Sequence, residues 1–101
     1  MGALDFFTTG PGKQPELAFS HAVMEARHLH GHGGYTGSIA EKDEYEVVAG
    51  EPVQSEMDAE TRAHELLREG RFDSKWGPAG AIPIDLGDGE RGWLFFGVAS
   101  Y

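Results

Sequence analysis

The sequence predicts an α+β fold in which two helices pack on one face of a mainly antiparallel sheet of four to five strands. Three observations predict it. Two stretches carry apolar residues at helical spacing, several shorter ones are β-branched, aromatic or alternating, and turn residues separate them in the order strand, helix, strand, strand, helix, strand, strand. That order is close to a ferredoxin-like arrangement with one added strand. The 101 residues suit a single domain spanning 1–101.

Leu4 to Thr9 (LDFFTT) is aromatic and β-branched, and Gly10-Pro11-Gly12 closes it, which reads as a first strand and turn. Pro15 stands where a helix tolerates proline, at a first position whose N–H would have no partner. From there to about His30 the apolar residues Ala18, Phe19, Ala22, Val23, Ala26 and Leu29 fall on one face at roughly 100° per residue, the face expected to meet the sheet. His21, Glu25 and His28 lie on a bordering stripe, and the glycines from Gly31 onward supply the stop.

Tyr35 to Ala40 reads as extended, Glu41 to Glu44 as a charged turn, and Glu44 to Ala49 as a strand with Tyr45 and Val47 on one face. Ser55 followed by Asp58 resembles a capping box. A second amphipathic helix follows over 56–69, with Met57, Ala63, Leu66 and Leu67 as contacts and Gly70 as its stop. The last third forms a hairpin, 79–85 and 91–101, around Gly87-Asp88-Gly89. Trp93 to Val98 is apolar on both pleat faces, which marks a central strand covered on both sides, whereas Pro83 places its partner near an edge or bulge. Trp76 and Trp93 are read as core, with the WGPAG turn leaving room for one exposed face of Trp76.

Seventeen acidic residues against eight basic ones give a formal charge of −9, and only Lys13, Lys42 and Lys75 are lysines. Direct binding of nucleic acid through phosphates is therefore not expected. An acidic surface, densest over 41–60, serves solubility, or it covers a basic surface of a host protein as an inhibitor or nucleic-acid mimic would. The absence of cysteine excludes disulfides, thiolate nucleophiles and Cys-ligated metals, and it suits a reducing cytoplasm. No apolar run approaches the ~18 residues that span a bilayer, and no signal sequence is read at the N-terminus, so neither export nor a membrane partner is expected.

The stretch with most chemistry is HGHGGYTGS, His30 to Ser38. One reading is a small-ligand pocket formed by His28, His32, Gly33, Gly34, Tyr35, Thr36 and Ser38: the glycines let backbone approach a ligand, and the hydroxyls and the ring donate and stack. The helix presents its negative end here, so a phosphate would need protonated histidines or Arg27 folded over it. A helix stop and a flexible turn explain the glycines equally.

A second reading is zinc held by Glu25, His28 and His32, the expectation otherwise being no cofactor. Glu25 with His28 or His28 with His32 can share an ion, whereas His21 and His28 stand roughly 10 Å apart along the axis. A His-dependent enzyme would use His28 or His32 beside Glu25 as base, yet no nucleophile is identified among Ser20, Thr36 and Ser38. Asp85, Asp88 and Glu90 could hold a hard cation, or form a solvated turn.

With FFTTGPGKQPELAF, HGHGGYTGSIAEKDEY, KWGPAGAI and GWLFFGVASY in this order, the chain from Asp5 onward resembles small uncharacterised proteins of bacteriophages and some bacteria, HGHGGYTGSIAEK being the most distinctive part. The resemblance carries no activity onto particular residues. It implies an accessory protein acting on host physiology or defence in the host cytoplasm. The combined expectation is a binding protein rather than a catalyst, its partner a small molecule or a host protein. A homodimer is also expected, because a two-layer sheet with a broad aromatic strand leaves one apolar face uncovered.

Overall fold

The computed structural model describes residues 2–31 and 33–101. Along the chain it forms β1 (Ala3–Pro11), α1 (Pro15–His30), a 3-10 turn (Ile39–Glu41), β2 (Tyr45–Val47), β3 (Gln54–Ser55), α2 (Glu56–Arg68), β4 (Ala79–Gly87) and β5 (Glu90–Ser100). The strands make one sheet in the order β1-β5-β4-β2, with β3 also pairing β4. The expected α+β class stands, with two helices against five strands.

Its sheet is mixed. β5 runs antiparallel to β1 and to β4, while the short strands β2 and β3 run parallel to β4. The last strand lies between the first and the fourth, so the order is not ferredoxin-like.

The helices do not share a face. Phe95 and Ala99 of β5 pack with Ala79, Ala81 and the α1 residues Ala18, Phe19, Ala22, Val23 and Ala26. Their neighbours Leu94 and Phe96 point the other way and pack with Ile82, Ile84 and the α2 residues Ala59, Ala63 and Leu66. A central strand apolar at successive positions needs cover on both sides, and one helix supplies each. Phe19 meets Phe95 edge-on with ring centroids 5.4 Å apart, and Phe72 meets Phe96 likewise at 5.3 Å. Among the described residues each face of the sheet thus packs against one helix, whereas the homodimer expectation started from one bare apolar face.

α1 follows the predicted bounds and ends at Gly31, whose φ of 83° suits glycine and whose N–H bonds the Arg27 carbonyl at 2.8 Å. Its buried stripe stops at Ala26, and Leu29, expected in that stripe, is exposed. α2 is capped as predicted, Ser55 Oγ accepting from the Asp58 N–H at 3.0 Å. It ends in a Schellman motif: Gly70 N–H bonds the Leu67 carbonyl and Arg71 N–H the Leu66 carbonyl, each at 3.0 Å. Met57 is exposed rather than packed, because it lies about 200° around the helix from Ala59, where the buried face begins. Leu67 is half-buried.

The hairpin turn is Asp88-Gly89, with φ of 52° and 78°, the two positive values that a two-residue turn between twisted strands demands. Ala79 N–H and the Ala81 carbonyl face the β2 side of β4, so Pro83, two residues on, faces it too. There β2 has ended and β3 has not begun, and the missing N–H leaves no gap in a ladder. No helix among the described residues is long and apolar enough to cross a membrane.

Candidate functional site

One side of α1, next to its buried face, presents Glu16, Ser20, Met24 and Arg27, and the segment Ala40–Tyr45 runs past it. A groove lies between them. Its middle part, about 490 Å³, has a floor of Phe19 and Val23, a rim of Ser20, Met24, Arg27, His28 and Asp43, and the buried Lys42 in its wall. Toward the end of the helix it continues as a recess of about 250 Å³ lined by Arg27, Gly31, Gly34, Ala40 and Glu41. Toward the start it continues between Glu16, Ser20, Asp43 and Tyr45. Arg27 belongs to both of the first two, which places a cation where the middle part meets the end recess, alongside Glu41.

The far wall is set by local hydrogen bonding. Ser38 caps the 3-10 turn, its Oγ accepting from the Ala40 N–H at 3.2 Å. Glu41, three residues after this cap, accepts from the Thr36 N–H at 3.1 Å and from the Thr36 hydroxyl at 2.9 Å. Since that hydroxyl proton goes to Glu41, the 2.7 Å contact of Thr36 with Ser38 is one in which Ser38 donates. Ser-x-x-Glu is a capping signature visible in the sequence at 38–41, where it marks a turn instead of the expected extended run.

Burial acts to raise the Glu41 carboxyl, but the Thr36 N–H, the Thr36 hydroxyl, the Tyr35 backbone and the Arg27 charge together hold it below its ordinary value. A carboxyl lowered in the folded state contributes stability above its unperturbed value and loses it as pH falls through the folded one. The turn is therefore expected to loosen below about pH 4.5. Faster hydrogen exchange of the Thr36 and Ala40 amides on acidification, absent in Glu41→Gln, is the measurement that checks it.

Lys42 follows this turn and is 2% exposed. Its Nζ donates to the carbonyls of Gly77 at 2.8 Å, Ser74 at 3.1 Å and Lys75 at 3.4 Å. Burial lowers its pKa, and among the described residues no carboxylate pairs with it. All three protons have carbonyl partners, so Lys42 ties the groove wall to the loop before β4 and has none left to offer a ligand.

The residues singled out from the sequence are divided by this arrangement. His28 lines the groove and Gly34 its end recess. Gly33 and Tyr35 are exposed, Tyr35 with a φ of 56°, while Thr36 and Ser38 spend their hydroxyls on the turn. His32 lies outside the described residues. For zinc, Glu25 and His28 are exposed on α1, and no group of three His, Asp or Glu converges among the described residues. Asp85 Oδ1 accepts from the Gly87 N–H at 2.8 Å, a turn contact.

Reading from sequence missed Glu41 and Lys42 as wall residues, and Ser20, Met24 and Asp43 as lining. Trp76, read as core with room for one exposed ring face, is 75% exposed, with Lys75 Nζ 5.2 Å from the ring centroid. Trp93 is half-buried, its Nε1 donating to the Lys13 carbonyl at 3.0 Å. Set against known protein families, curated proteins and solved structures, the chain matches none, so no relative supplies a ligand for the groove.

Proposed function

We propose that this chain is a small acidic accessory protein, phage-related and working in the host cytoplasm, that binds a small anionic, nucleotide-derived ligand in the groove beside α1. It acts by binding, not turnover. The observation that carries the reading is a groove with the edges of Phe19 and Val23 as its apolar floor, the exposed Met24 beside it, and Arg27 and His28 on a rim that they share with Asp43. The floor takes a flat apolar body and the guanidinium takes a carboxylate or phosphate through paired N–H donors. The negative end of α1 disfavours an anion at Gly31 itself, so the anionic group belongs one turn back, at Arg27.

Adenosine monophosphate is a probe with both parts. Titration into the wild type is expected to give saturable binding, and Arg27→Ala is expected to weaken it at least ~10-fold. Binding unchanged by that substitution would move the ligand elsewhere.

A second reading, cover for a basic host surface, is favoured by the exposed Val47 and Val53 beside Glu44 and Glu46 at the β2–β3 edge. It predicts a partner lost at high salt and on charge reversal of Glu44 and Glu46, with Arg27→Ala silent.

A further inference from the structure

The sheet ends at β1, and the ladder to β5 fixes which backbone groups it leaves open. Gly2 and Tyr101 exchange N–H···O bonds and Gly12 N–H bonds the Arg91 carbonyl, so even-numbered residues of β1 face β5. Ala3, Asp5, Phe7 and Thr9 therefore turn their N–H and C=O groups outward, and among the described residues those groups have no partner. Such an edge is ordinarily blunted by lysine, a bulge or a covering segment. β1 carries no lysine; its blunting residues are one exposed charge, Asp5, and Pro11 at its far end.

Beside this edge lies a second feature, on the α2 face. Arg62 reaches from one flank of α2 to Glu51 on the β2–β3 connection, and His64 on the other flank stacks on Phe7 of β1 with centroids 4.3 Å apart. That β1-facing flank holds a recess of about 510 Å³ lined by Glu56, Met57, Glu60, Thr61 and His64. Asp5, which shares the pleat face of Phe7, adds a third carboxylate on the same side.

We propose that the open edge of β1 takes up an extended peptide as a sixth strand. Its alternate side chains are Lys or Arg, laid along the α2 flank toward Glu56, Glu60 and Asp5. Main-chain bonds would supply affinity and the carboxylates the choice of sequence. The charge pattern disfavours a second copy: β1 holds no Lys or Arg, and two chains of charge −9 would bring acid to acid. This site shares no lining residue with the α1 groove.

The probe is the blocked heptapeptide acetyl-Lys-Thr-Lys-Thr-Lys-Thr-Lys-amide, followed by NMR with hydrogen exchange. Binding should slow exchange of the Asp5, Phe7 and Thr9 amides. Replacing its lysines by glutamates should weaken it at least ~10-fold, as should Glu56→Gln with Glu60→Gln in the protein, both exposed positions. N-methylation of alternate peptide amides should abolish it. The proposal is overturned if the lysine peptide does not bind, if it binds without protecting those three amides, or if they are protected in the free protein together with a dimer mass.

Discussion

Gly10→Ala is expected to cost about 3 kcal/mol or more, at the upper end of what a single added methyl does in a packed interior. Gly10 lies in β1 directly under α1, and a Cβ built on it would collide with the Ala18 carbonyl. The obstacle is backbone on both sides, so no rotamer relieves it. The helix would have to lift, carrying Phe19 and Ala22 away from Phe95 and Ala81. Alanines at 18, 22 and 26 make the close approach, and Gly10 completes it. Urea unfolding is the check: the midpoint should fall with the slope unchanged. Gly33→Ala, where an added carbon meets nothing within 4 Å, should change stability by less than about 1 kcal/mol.

Lys42→Met should cost about 2 kcal/mol and loosen a segment more than 30 residues away in sequence. The substitution removes a buried charge, which by itself is favourable, but it strands the carbonyls of Ser74, Lys75 and Gly77 without donors. Emission of the exposed Trp76, between those carbonyls, should report the loosening. The pH dependence separates the two effects. Burial lowers the folded pKa of Lys42 below 10.5, so at alkaline pH the unfolded chain binds more protons than the folded one. Wild-type stability should then gain a component as pH rises through the folded pKa toward 10.5, and Lys42→Met should lack it.

What could be read in the sequence follows from the range of the interactions. α1, the Ser55 cap, the Gly70 stop and the Asp88-Gly89 turn depend on neighbours within a few residues, and the structure has them where periodicity and capping chemistry put them. The apolar run Trp93–Phe96 gave β5 as a central strand covered on both sides, which is incompatible with two helices on one face, and the strand prevailed. Parallel pairing of β2 and β3 with β4 is set by where the chain returns after 31–44, and no local signal reports that.

The site shows the same division. Gly31 and the helix exit were legible, but Thr36 and Ser38 looked free for a ligand because their bonds to Glu41 and Ala40 exist only once the turn forms. Lys42 read as one charge in a charged turn. Its carbonyl partners are supplied by residues 74–77, a distance no pattern in the sequence spans.

Native mass spectrometry of the protein as purified from its producing cells, beside Arg27→Ala from the same cells, tests the groove most directly. The wild type is expected to carry an excess mass that denaturation releases, matching a small phosphate- or carboxylate-bearing molecule, and Arg27→Ala is expected to lack it. The bare polypeptide mass for both, with no saturable binding of adenosine monophosphate, would contradict the groove reading and leave the acidic β2–β3 edge as the working surface.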